Sequence, residues 1–153
     1  LNWSTFVGTD APDSTRTMRY FNNLYSQFSL SERLSLIAGF DIGAQQASKR
    51  SSSYEWWYSP IVIAHYQINA TWAVAARAER YDDKNKVIIS APGPDGFRTN
   101  GFSFNADYSP HTNILCRAEA RWLKSNSPTF VEGEQLKRDN FFVAVYMAQR
   151  LCK

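Results

Sequence analysis

Residues 32–46 read ERLSLIAGFDIGAQQ, and no other segment constrains the fold as tightly. Alternate positions Leu34, Leu36, Ala38, Phe40, Ile42 and Ala44 are all apolar. The interleaved set is Arg33, Ser35, Ile37, Gly39, Asp41, Gly43 and Gln45, where Ile37 is the one large apolar residue. A period of two describes a β-strand with one apolar face and one wet face. Two closed sheets satisfy such a strand. A soluble barrel turns the apolar face inward, whereas a membrane barrel turns it outward to lipid and keeps its polar residues inside.

The length of 153 residues fits one domain, enough for a closed sheet of about eight strands. The net charge of +3 comes from 17 basic and 14 acidic residues dispersed along the chain, which argues against a nucleic-acid surface. No apolar run approaches the ~18 residues of a membrane helix, but alternation hides a membrane strand from any averaged hydropathy. The chain opens LNWSTFVGTD without an initiator Met, basic segment or apolar segment, as expected of a processed precursor or a piece of a longer chain. Cys116 and Cys152 have no metal-ligand spacing; two plain thiols or one disulfide are both open to them.

Period-two segments fall at 1–8, 18–30, 33–45, 55–68, 71–82, 97–108, 113–123 and 140–151, and no comparable segment carries a helical stripe. The connections alternate. LSER, NAT and SPHTN are tight turns, whereas TDAPDSTRT, QASKRSSS, DKNKVIISAPGPDG and KSNSPTFVEGEQLKRD are long and polar. Placing every long loop at one end matches outer-membrane barrels. Trp56, Tyr58 and Trp122 then fall near the long-loop end of the apolar face, and Tyr66, Trp72 and Tyr108 near the tight-turn end. Two aromatic girdles a strand length apart are what interface anchoring requires, so the apolar face is expected to look outward. The last strand, NFFVAVYMAQRL, is apolar at both parities, and its facing stays open.

The opposite parity collects Arg33, Asp41, Arg77, Glu79, Asp107, Arg117, Glu119 and Arg121. ARAER and CRAEAR both contain Arg-x-Glu, and residues two apart share a face. These residues are candidates for lining a pore whose charges select solutes. In a narrow barrel the same residues would form a neutralising ion-pair network. His65 is the one histidine expected on a strand, with Ser59 on the same strand; a hydrogen-bonded interior histidine is favoured over a catalytic triad. No phosphate loop, zinc spacing or calcium loop occurs, and no enzyme activity is expected. ASKRSSS is a basic, serine-rich tip, read as solvated, with contact to anionic headgroups as its functional alternative.

FVGTDAPD, NLYSQFSLSERLSLIAGFDIGAQ, WYSPIVIAHYQINATWAVAARAERYDDKN and GFSFNADYSPHTNILCRAEARW together resemble the putative β-barrel porin family of Gram-negative outer membranes. The shared features fall at Trp57, Trp72 to Glu79, Asp82 and Asp83, Asp107 to Pro110, and Arg117 to Arg121. The resemblance covers most of the chain and implies an all-β, antiparallel up-and-down transmembrane β-barrel without cofactor, as the C-terminal part of a longer member. The natural surroundings implied are the lipid bilayer of the bacterial outer membrane and small hydrophilic solutes. The leading functional expectation is a passive channel. The alternatives are a non-conducting barrel that anchors or joins an envelope complex or oligomer, and a soluble calycin-like ligand binder with its faces reversed.

Overall fold

The computed structural model describes residues 1–9 and 12–149. Eight strands follow one another in a single sheet: β1 (Asn2–Gly8), β2 (Arg19–Ser29), β3 (Leu34–Gln46), β4 (Tyr54–Gln67), β5 (Trp72–Asp83), β6 (Phe97–His111), β7 (Ile114–Ser125) and, beyond a hairpin of β8 (Phe130–Glu132) and β9 (Gln135–Lys137), β10 (Asp139–Gln149). Every neighbouring pair is antiparallel. The architecture is all-β and up-and-down. Among the described residues no pairing joins β1 to β10, which form the sheet's two edges.

Tight turns are closed by their own side chains. Asn69 Oδ1 accepts from the backbone N–H of Thr71 and of Trp72, both at 2.9 Å, so NAT is an Asx-type turn. Ser31 Oγ does the same for Leu34 at 3.0 Å and Arg33 at 3.2 Å. The SPHTN turn is tighter than its sequence suggests. β6 runs on to His111 through a register shift after Tyr108, leaving Thr112 and Asn113 at the bend. The long 124–139 connection also departs from a plain loop. FVE and QLK pair as a short hairpin across Gly133, whose φ of +62° suits glycine.

Register keeps the two faces apart across the whole sheet. One row runs Phe28, Leu36, Ala64, Ala76, Phe104, Ala120 and Val143, apolar on seven successive strands. Its side is open: Val62, Phe102, Phe104 and Trp122 are exposed, and Val145 is 76% exposed. An apolar face this wide with no protein over it suits lipid rather than water. Residues buried within the protein are few: the apolar ones among those described are Ala44, Trp57, Ala73 and Ala91.

Aromatic residues bracket the apolar face. Trp72 and Tyr108 meet with ring centroids 4.6 Å apart at the tight-turn end, beside Tyr66 on β4. Toward the long loops, Phe102 and Trp122 stack at 6.0 Å and Phe40 and Tyr58 at 6.4 Å, with Trp56 exposed beyond. Trp56 and Tyr66 lie on one face of β4, ten residues apart. At ~3.4 Å per residue and a tilt of ~40° that is ~26 Å along the membrane normal, close to the ~25 Å apolar band of an outer-membrane barrel.

The register also assigns β10. Phe141, Val143, Val145 and Met147 continue the apolar face opposite Trp122, Ala120, Ala118 and Cys116. Phe142, Ala144 and Tyr146 stand opposite Arg121, Glu119 and Arg117 on the polar face. Cys116 is thereby on the apolar face; Cys152 lies outside the described residues.

Candidate functional site

The polar face is organised around β5, β6 and β7. Asp107 and Arg117 are direct cross-strand partners, and their side chains form a two-pronged pair with Nε–Oδ1 and Nη2–Oδ2 both at 2.5 Å. Such a fork is the strongest ordinary ion-pair geometry. Asn105 donates to Asp107 at 3.1 Å, and Arg117 donates to the Tyr146 hydroxyl at 3.1 Å, with its guanidinium 5.8 Å from that ring. Asp107 is buried, held entirely by this set.

Three rows nearer the long loops, Glu79 is shared. Arg77 binds one of its oxygens through Nε and Nη2, and Arg121 of β7 binds the other. Arg121 reaches across β6 because Gly101 stands between; a Cβ there would come within 2.6 Å of Glu79 Oε1. The Arg121 Nε is buried without a partner among the described residues. Glu119, half-buried, lies between the two clusters in a row with Asn105. Asp41 stands apart on β3, accepting from Asn23 Nδ2 at 2.5 Å.

Seven of the eight sequence-predicted polar residues thus occupy one face, and five of them form two bonded clusters. Arg33 does not join them. It lies in the exposed turn before β3, where its carbonyl accepts from Gln67 at 2.7 Å. His65 and Ser59 share the face but are six residues apart on β4, ~20 Å along the strand, too far for a nucleophile and its base. On its strands the polar face carries Arg19, Arg77, Arg117 and Arg121 against Asp41, Glu55, Glu79, Asp83, Asp107 and Glu119, a formal charge of −2.

At the long-loop end this face is partly covered, a feature not foreseen from sequence. Asp83, the last residue of β5, is fully buried. Its carboxylate accepts the backbone N–H groups of Val87, Ile88 and Ile89 at 2.8, 2.8 and 2.9 Å. One side chain gathering three amides holds the 84–96 loop back over the strand end that emits it. Gly96 closes the loop at φ +68°, where a Cβ would sit 2.3 Å from the Asp83 and Lys84 carbonyls. The Ser127 hydroxyl donates to Asp95 at 2.6 Å, tying the loop to the next one.

Ile88 consequently lines a pocket of about 420 Å³ with Phe6, Arg19, Phe21, Asp41, Trp57 and Tyr81, all polar-face residues. Trp57 floors it. The indole lies flat on Gly43, where a Cβ would come within 2.0 Å of the ring, and the Arg19 guanidinium sits 5.9 Å over it. Asp83 has the polar parity in the sequence, but only the fold reveals its three amide partners.

A protein-family model described as putative beta-barrel porin-2, OmpL-like, matches residues 1–151. No curated protein and no solved structure matches the chain.

Proposed function

The chain belongs to the putative beta-barrel porin-2, OmpL-like family, and from that premise we propose that it is a passive channel for small hydrophilic solutes in the bacterial outer membrane. The observation carrying this reading is the segregation of faces: an unbroken apolar row on one face and two ion-pair clusters on the other, carried by the same strands. Lipid surrounds the barrel, and Asp41, Arg77, Glu79, Asp107, Arg117, Glu119 and Arg121 line the path. Their work is electrostatic. Fixed charges in a confined aqueous path replace part of a solute's hydration and bias which sign enters. No nucleophile or base is required. The 84–96 loop, held by Asp83, narrows the mouth and limits solute size.

Single-channel recording of the full-length protein in planar bilayers tests the proposal. Discrete ohmic steps are expected, with a modest preference for cations given the excess of carboxylates on this wall. Arg117→Ala or Arg121→Ala should strengthen that preference by removing a positive charge. A folded, heat-modifiable protein that never conducts would refute the channel. It would favour the non-conducting reading, in which the same ion pairs plug the barrel and the loops bind an envelope partner.

A further inference from the structure

The apolar face is not apolar to its end. Beyond Ala78, Phe102 and Trp122, the same outward parity continues as Arg80 and Asp82 on β5, Arg98 and Asn100 on β6, Lys124 on β7 and Asp139 on β10. Among the described strand residues of this face, every charged one lies at the long-loop end. These positions follow directly on the Phe102–Trp122 aromatic stack, at the depth of lipid headgroups.

The cluster is built rather than scattered. Asp82 Oδ2 accepts from Arg80 Nη2 at 2.7 Å, Arg98 Nε at 3.1 Å and the Tyr58 hydroxyl at 3.2 Å. One carboxylate therefore fixes two guanidinium groups side by side, with an excess of positive charge. Arg80 is further held by Asn100 at 3.3 Å, and the Lys124 ammonium lies 5.7 Å from the Trp122 ring. Lys124 stands opposite Asp139 of β10, but among the described residues the two form no ion pair within 4.0 Å, and the bond from Arg98 to Asp82 is made by Nε, which leaves its terminal nitrogens unused by that carboxylate. Arg80, Asn100 and Lys124 form one row over three strands, a span of ~10 Å at the ordinary strand spacing.

We propose that this outward cluster is a binding site for a lipid carrying a phosphomonoester headgroup, with Arg98 and Lys124 as its principal ligands and Asp82 as the residue that positions the arginines. The complementarity is of charge and depth together. Fork-shaped and point cations both suit phosphate oxygens, and the acyl chains would lie down the aromatic and aliphatic row beneath. The proposal needs the barrel to stand in a bilayer but not to conduct, so it survives or fails independently of channel activity.

The test titrates the detergent-purified full-length protein with dioleoyl phosphatidic acid and, separately, dioleoyl phosphatidylcholine, reading bound lipid by native mass spectrometry. Preferential retention of phosphatidic acid is expected. Lys124→Gln and Arg98→Gln should each weaken it about tenfold, the loss of one charge-assisted contact. Arg98→Lys should retain most of it. Lys124→Gln breaks no bond to Asp82 and so tests the site without endangering the fold. Lys49→Gln, which removes one charge from the 47–53 tip, should leave binding unchanged. Equal retention of both lipids, insensitivity to Lys124→Gln and Arg98→Gln, or sensitivity to Lys49→Gln alone would overturn the assignment. So would displacement of the lipid by inorganic phosphate, which would mark a site for the free anion.

Discussion

Ala75 and Ala76 are neighbours on β5 with opposite facing, and they isolate the central claim about which side meets lipid. Ala76 lies four residues from Trp72 and four from Arg80, midway across the apolar band, in register with Ala64 and Phe104. Ala75 lies in register with His65 and Asn105, in the polar row that continues to Glu119. An arginine facing lipid at the midplane of such a barrel costs ~2–4 kcal/mol. Ala76→Arg should therefore lower the folding equilibrium about thirtyfold to nine-hundredfold. Ala75→Arg meets water and Glu119 on one side and repulsion from Arg77 on the other, and should cost less than ~1 kcal/mol. Urea titration of the full-length protein folding into phosphatidylcholine vesicles, followed by tryptophan fluorescence and heat modifiability, measures both. Equal costs, or a larger cost at Ala75, would refute the outward assignment of the apolar face.

Asp83→Ala should free the 84–96 loop, speeding proteolysis at Lys84 and Lys86 and raising conductance; unchanged values for both would remove the loop from the mouth. Asp83→Asn, which keeps an acceptor but loses the charge, should fall between. Gly43→Ala should destabilise the fold by ~1–3 kcal/mol through collision with Trp57, and Trp57→Ala in the same chain should recover much of that. A double-mutant cycle showing simple additivity would rule out the contact. Glu79→Gln removes the negative charge that Arg77 and Arg121 share, and should move the reversal potential toward anions; a move toward cations would contradict the polar-wall assignment.

Strand positions and facing were legible because period two survives on nearly every strand, and because long and short connections alternate. Arg77 with Glu79 followed the Arg-x-Glu spacing, but the same spacing at Arg117 and Glu119 did not pair, because Arg117 forks onto Asp107 across the strands. The Glu79–Arg121 bond did not, since it depends on the β5–β6–β7 register and on the gap at Gly101. Arg33 shows the limit of parity, which cannot tell the last residue of a turn from the first of a strand. β10 shows another: with apolar residues on both faces, only pairing to β7 could orient it. Asp83 was invisible for a different reason. Its partners are backbone amides, which every residue but proline possesses, so no residue type announces them. The outward charges at Arg80 and Asp82 were written in the alternation itself, as the point where the apolar set of β5 turns ionic.

That change from apolar to ionic on the outer surface also acts as a depth gauge. A bilayer whose hydrocarbon is thicker than the band must cover something at one end or the other. Covering the rim would strip water from the Arg80 and Arg98 guanidinium groups, whereas the described strand residues of the outer face carry no charge at the opposite end, only the rings of Tyr66, Trp72 and Tyr108. Mismatch costs only fractions of a kcal/mol per Å when taken up by tilt or bilayer deformation. A barrel so placed in a bilayer would be pinned at its charged rim. Variation in membrane thickness would then be absorbed on the tight-turn side, so that the long-loop end would keep a fixed height above the headgroups while the far end rode up and down.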